Sequence, residues 1–176
     1  MKTRDDLGAW MTARGYHVAA EIGVWRGDFS ARVLSTWGGT LHMIDGWRHL
    51  DNYQDQCNLT DAEHDVCFAA AQKVAEAFMP RGVIWRELTP AAAANFPDKF
   101  FDLVYLDANH SYEAVMADLA AWAPKIRPGG TFAGHDYMDG VRKEGVFGVQ
   151  TAVNEFFGRP PELVTRDYYP SWFYTV

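Results

Sequence analysis

Two cysteines are all that the 176 residues contain, Cys57 and Cys67, and they stand ten positions apart without a CxxC pair. That excludes a disulfide framework and a zinc knuckle. Basic charge is also scarce: the formal net charge is −7, with no basic stripe able to follow a phosphate backbone, so nucleic acid is not an expected partner. No apolar run approaches the roughly 20 residues of a membrane span. The first twenty residues carry Arg4, Asp5, Asp6 and Arg14, and no signal-peptide core. A cytoplasmic protein that does not enter the membrane is the expectation.

Aromatics, by contrast, are plentiful, with seven Trp, eight Tyr and eleven Phe. Most would serve packing, and a few would line a cleft. The length suits one domain over 1–176.

Hydrophobic periodicity sorts the chain into alternating strands and helices. Thr3 and Asp6 resemble a capping box ahead of a helix bearing Leu7, Trp10 and Met11, with Gly15 at its end. Strands are expected at 17–22, 40–44, 83–88, 102–106 and 131–134. Helices are expected at 29–37, 61–78, from Pro90 through the following alanines, 111–126 and 149–157. Residues 46–60 show no period and read as a loop, part of an insertion over about 46–80. Glycines at 140, 145 and 148 mark a mobile flap over 138–148. Two last strands, near 162–166 and 171–176, have no helix between them and should pair antiparallel. Strands separated by helices make βαβ units, hence an α/β fold: a doubly wound, mainly parallel sheet with helices on both faces.

Ligands in such sheets lie beyond the carboxyl ends of the strands. The first strand ends in EIGVWRG (21–27), where Gly23 lets the turn pass close to a ligand, Gly27 lets the next helix start tight against the strand and is counted with the cofactor-binding residues, and Asp28 or Ser30 can cap that helix. The spacing E-x-G-x-x-x-G is not the G-x-G-x-x-G that surrounds a pyrophosphate. Asp45 closes the second strand 22 residues after Gly23, near the offset of about 20 at which a carboxylate takes ribose hydroxyls. A nucleoside without phosphates and with a cationic amino-acid part, S-adenosyl-L-methionine (SAM), suits this pattern. An NAD-dependent oxidoreductase on a similar sheet is the rival, weakened by the glycine spacing and by the lack of a Tyr-x-x-x-Lys pair. A non-catalytic SAM-binding domain is a third reading.

A second group falls on the same rim. Asp107 ends the fourth strand and Asp136 follows the fifth, neighbours about 4.8 Å apart. His110 and His135 lie close in sequence to them. Two carboxylates held together favour a shared proton or a cation, and an oxygen-rich set suits Mg²⁺ or another divalent ion, with Asp107, Asp136 and His135 as ligands. His110 is the first choice of general base, with His135 and Lys143 as alternatives and Asp107 as a further catalytic group. The plain readings are that Asp107 caps the following helix, that His110 sits on a surface loop, and that Asp136 pairs with Arg142 or Lys143. Trp47, His49, Tyr53, Tyr137 and Trp172 could border an acceptor pocket or pack in the core.

Together, EIGVWRG (21–27), MIDGW (43–47), FDLVYLDANHSYEAVMADL (101–119), IRPGG (126–130) and GHDY (134–137) resemble the class I SAM-dependent methyltransferases. Within these the chain looks like the compact group related to macrolide-sugar and other natural-product O-methyltransferases. That resemblance implies a seven-stranded sheet of order 3-2-1-4-5-7-6 with the last strand antiparallel. It implies that Glu21 and Gly23 approach the methionine part, that Asp45 binds ribose, and that residues from Glu87 to Thr89 lie near adenine. The activity implied is methyl transfer to a hydroxyl of a small molecule or saccharide. The sequence leaves the oligomeric state open, a homodimer included.

Overall fold

The computed structural model describes residues 1–51, 53 and 55–176; Asn52 and Gln54, within the stretch expected as loop, lie outside the described residues. In chain order the elements are α1 (Leu7–Ala13), β1 (Val18–Ile22), α2 (Asp28–Thr36), β2 (Thr40–Asp45), α3 (Asp61–Ala77), β3 (Gly82–Arg86) and β4 (Phe101–Leu106). They continue with α4 (Tyr112–Trp122), β5 (Ile126–Gly134), β6 (Asp139–Val141), β7 (Val146–Gly148), α5 (Val149–Phe157), β8 (Leu163–Val164) and β9 (Trp172–Thr175).

Seven strands form one sheet in the order β3-β2-β1-β4-β5-β9-β8. β1 through β5 run parallel, and β9 lies antiparallel between β5 and β8. This is the arrangement expected, with β8 and β9 as the two closing strands; β6 and β7 form a separate hairpin where the flap was placed. All six residues of β4 are buried, as a central strand covered on both faces requires. One face packs α1, α2 and α3 through Leu7, Met11, Val33, Leu34, Cys67 and Ala71. The other packs α4 and α5 through Val115, Leu119, Trp122, Ala152 and Val153.

Local chemistry explains the boundaries. Asp102 of β4 accepts hydrogen bonds from the His17 and Val18 amides at 2.6 and 2.9 Å and from Arg127, so the first residues of β1 are held in register. Burial alone would raise that carboxyl, but these donors outweigh it and hold it below its ordinary range. Thr60 caps α3 with Glu63 completing the box. α3 is the crossover between β2 and β3, which is how the helical part of the expected insertion is used.

Three expectations need correcting. The alanines after Pro90 form a short 3-10 turn, Ala91–Asn95, and Thr89 does not cap it. α4 stops at Trp122 because Pro124 follows, leaving a 3-10 turn before β5. β5 begins at Ile126 rather than 131: the chain bulges through Pro128-Gly129-Gly130 and the pairing with β4 shifts register there.

Candidate active site

The carboxyl ends of β1, β2, β4 and β5, the segment after β3, and residues of α3 and α4 line one cavity of about 570 Å³. That falls within the usual range for small-molecule sites. Glu21, Gly23, Asp45, Thr89, Asp107, His110, His135 and Asp136 all border it. Gly27 does not. It is buried at φ +84° as the N-cap of α2, and a Cβ there would meet Ala71 and Val74 of α3, so this glycine serves helix packing. Neither Asp28 nor Ser30 caps α2.

The carboxylate of Asp45 faces the cavity and organises its floor. Oδ2 accepts from the amides of Val24 and Trp25, both at 2.9 Å, and Oδ1 accepts from Trp47 at 2.8 Å. A carboxylate has about four acceptor directions, so Oδ1 retains capacity for a ligand hydroxyl. Gly23 adopts φ +89°, and a Cβ on it would stand 2.0 Å from the Asp107 carbonyl oxygen. The close approach that this glycine permits is therefore between β1 and β4 backbones.

Glu21 is 2% exposed and accepts a 2.5 Å hydrogen bond from Ser30. Its carboxyl is pushed up to about 8: burial raises it most, the Ser30 hydroxyl opposes this, Asp107 and Asp45 add to the rise, and Arg4 works against it. Between its ordinary value of 4.5 and about 8, the folded chain therefore holds a proton that the unfolded chain has lost. Stability from this group is complete below that window and disappears as pH climbs through it. Urea unfolding at pH 5.5 and 8.5 should show wild type losing roughly 3 kcal/mol more than Glu21→Gln across the interval. Parallel losses in both proteins would refute the assignment of this carboxyl.

The second cluster is denser than the sequence suggested. His110 Nε2 stands 3.0 Å from Asp136 Oδ2 and 3.8 Å from Asp107 Oδ1, while Nδ1 stands 3.4 Å from Asp55 Oδ2 and 3.3 Å from the Tyr53 hydroxyl. The ring stacks on Phe147 with centroids 4.8 Å apart. Burial pulls the imidazole pKa down, but Asp107, Asp136 and Asp55 outweigh it and raise the group well above 6.5. Asp136 answers in the other direction: burial would raise it, and the His110 and His135 rings hold it far below the usual carboxylate range. His135 Nδ1 lies 3.1 Å from Asp136 and 3.7 Å from Asp107. Asp107 also accepts from Arg4 at 3.0 Å.

The plain readings of these residues do not hold: Ser111 caps α4, His110 is mostly buried, and Asp136 contacts the two histidines. Lys143 is exposed on the hairpin and does not border the cavity.

Asp107, His110 and Asp136 present donor atoms within 4.8 Å of one another. His110 Nε2 is buried without a well-directed hydrogen-bond partner among the described residues. Two carboxylate oxygens and an orphaned imidazole nitrogen form a donor set that fits a divalent cation. His135 stands beside this set.

Of the aromatics proposed for the pocket, Trp47 and Tyr53 border it. Trp172 is fully buried in β9, its ring against Gly134, and Tyr137 donates to Asn154 on α5. His49 is exposed, its Nδ1 3.0 Å from the Leu59 carbonyl. Phe147, Tyr169 and Trp25 take their places in the lining. Asp55, Arg4 and His64 were also missed. His64 lines the cavity at 8% exposure, with both ring nitrogens unpartnered among the described residues. The loop carrying Asp55 bridges to the hairpin through Asp55 with Gly145 and the Gln56 amide to Glu144, so the two segments roof the cluster.

A methyltransferase-domain family matches residues 20–137, which is two thirds of the chain and includes both clusters. The chain belongs to this methyltransferase family. Its activity is therefore SAM-dependent methyl transfer, and the oxidoreductase reading is set aside. No curated protein matches the chain. Among solved structures, a Bacillus cereus O-methyltransferase in complex with S-adenosylhomocysteine (SAH) is similar with a TM-score of 0.66 at 15% identity, covering 97% of this chain and 78% of that one. The O-methyltransferase NovP gives 0.63 at 19%, covering 98% and 77%. A Corynebacterium glutamicum protein gives 0.66 at 18%, covering 98% and 77%. At these identities the likeness speaks for the fold. No described helix of the methyltransferase is long and apolar enough to cross a membrane.

Proposed function

We propose that this methyltransferase moves the methyl group of SAM onto a hydroxyl oxygen of a small molecule or saccharide. The observation that carries the reading is the placement of Asp45 and Gly23 in the same cavity as the Asp107, His110 and Asp136 cluster. A hydroxyl must lose its proton as it attacks the methyl carbon, so oxygen acceptors call for a base where nitrogen acceptors often do not. In this step the oxygen–carbon bond forms, the carbon–sulfur bond breaks with its electron pair passing to sulfur, and the proton goes to an imidazole.

His110 supports the role of base, since its ring is mostly buried, fixed by stacking on Phe147 and oriented by Asp55 from the opposite nitrogen. Asp107, His110 and Asp136 would hold a divalent cation such as Mg²⁺, whose chemistry there would be to lower the pKa of an acceptor hydroxyl and fix its direction. His135, 3.7 Å from Asp107, is then the neighbouring imidazole left to take the proton. Tyr53, Phe147 and Tyr169 give the lining flat faces suited to a sugar ring or a phenol. The net charge of −7 favours neutral or cationic acceptors over nucleic acid.

A screen of phenols, catechols and sugars for SAH formation, with and without EDTA, tests both parts. The expected result is turnover with at least one hydroxyl compound, reduced more than about 10-fold by EDTA and restored by Mg²⁺ or Mn²⁺. Turnover indifferent to EDTA removes the cation and leaves the transferase. Methylation confined to amines would overturn the oxygen assignment.

A further inference from the structure

Arg4 is the least expected member of the cluster around Asp107. It opens a 3-10 turn ahead of α1, Arg4–Asp6, which Thr3 and Asp6 close with a capping box. The turn is fastened to the segment before β9. The Arg4 amide donates to Asp167 Oδ2 at 2.9 Å, and the Arg166 amide donates to the Lys2 carbonyl at 2.9 Å. From there the side chain crosses the Phe29 ring, its guanidinium carbon 4.7 Å from the centroid, and donates to Asp107 Oδ2 at 3.0 Å. Side-chain exposure is only 30% for Arg4 and 21% for Asp107, so solvent screens this pair less than one at the surface. Two backbone anchors and an aromatic face thus direct one charge onto one carboxylate.

The effect on Asp107 is to divide it. Oδ2 belongs to the guanidinium, while Oδ1 faces the imidazoles, 3.8 Å from His110 Nε2 and 3.7 Å from His135 Nδ1. One oxygen is therefore left for an ion taken up by Asp107, His110 and Asp136. Asp55 lies behind the His110 ring, on its opposite nitrogen. The two carboxylates of the set would balance a divalent ion, but the guanidinium, charged at any working pH, already offsets one of them. A like charge one carboxylate's width away lowers the affinity for a divalent ion roughly tenfold even with the screening of water, and further where water is excluded.

We propose that Arg4 is a tuning residue for the cation site: it holds Asp107 to one free oxygen, weakens the Asp107, His110 and Asp136 set for divalent ions, and so keeps the ion exchangeable. The inference rests on the cation reading of that set. Charge and the withheld oxygen act in the same direction, so removing the guanidinium tightens the site. A residue that merely held Asp107 in place would have the opposite signature, since its loss would loosen the ligand and weaken binding.

Titration of Mn²⁺ followed by electron paramagnetic resonance, with no acceptor and no turnover, tests this in wild type, Arg4→Gln and Arg4→Lys. Arg4→Gln should bind Mn²⁺ at least about 10-fold more tightly than wild type, and should carry it through a desalting column that strips it from wild type. Arg4→Lys keeps the charge and should stay within about threefold of wild type. Equal or weaker binding in Arg4→Gln overturns the inference, as does an equal gain in Arg4→Lys. If Arg4→Gln does not fold, Arg4→Met, whose stem still covers Phe29, takes its place in the comparison. No Mn²⁺ binding by wild type or by any variant would remove the cation reading itself, a result distinct from binding that is blind to Arg4.

Discussion

In enzyme stripped of divalent cations, where His110 is free to take the proton, His110→Ala should lower the turnover number about a thousandfold, within the range that general-base catalysis supplies, with little change in SAH affinity. The ring touches no part of the Asp45 floor, so the loss should fall on the chemical step. Its removal also leaves Asp55, Asp107 and Asp136 facing one another with Arg4 and the His135 ring as close partners, so a fall in stability is expected at neutral pH. His110→Gln separates the two effects, because its amide nitrogen can donate to Asp136 without the side chain taking a proton. Stability should recover in that variant while activity does not. The pH profile carries a further sign: the carboxylates raise the imidazole well above 6.5, so in enzyme stripped of divalent cations, kcat/KM should climb with pH on the alkaline side of neutrality. Asp55→Asn removes one of those charges and should shift the climb to lower pH. A flat profile, or full activity in His110→Gln, would rule out His110 as the base.

The largest loss of stability is expected from Gly23→Ala. The new methyl group would lie 2.0 Å from the Asp107 carbonyl oxygen, 2.6 Å from its carbon and 2.9 Å from Ala108 Cα, all backbone atoms, at φ +89°. No flexible side chain can give way. Either β1 and β4 part at their carboxyl ends or the turn refolds. A destabilisation of at least about 3 kcal/mol follows, a large share of the 5–15 kcal/mol that ordinarily separates folded from unfolded. Gly38→Ala, where nothing lies within 4 Å of the added atom, should change stability by less than about 0.5 kcal/mol. Urea midpoints for the two variants make the comparison. Similar small effects in both would show that the β1–β4 approach is looser than described.

How much of this was legible in the sequence follows from which forces are local. Alternating β and α periodicity fixed the order of elements, and with it the strand ends at Asp45, Asp107 and Asp136. Those carboxylates could be placed on one rim before any coordinates, because parallel strands carry their last residues to the same edge. The missing helix between the last two strands marked the antiparallel edge, where β9 inserts beside β5. What escaped depends on distant packing. Arg4 meets Asp107 across 103 positions, and Asp55 meets His110 across 55; no local pattern records such a pair. The aromatics could not be sorted by composition, since Trp172 and Phe147 differ only in which surface their strand turns inward. His64 sits in an alanine-rich helix whose pattern reads as packing. Gly27 looked like part of the ligand turn, and its neighbours Ala71 and Val74 explain it instead.

Asp118 belongs to the same class of omission. Its place on the helix face was readable, and the acid could have been flagged as misplaced there. Only the Thr89 contact and the place of Asp118 in the cavity lining show what surrounds it.

One titration bears most directly on the whole account: SAM into wild type and into Asp45→Ala, followed by heat. Wild type should show a single site, weakened about 100-fold in the variant, as expected when hydrogen bonds to a charged group are removed and the Val24 and Trp25 amides lose their acceptor. Equal affinity in the two proteins, or no heat with wild type, would contradict it.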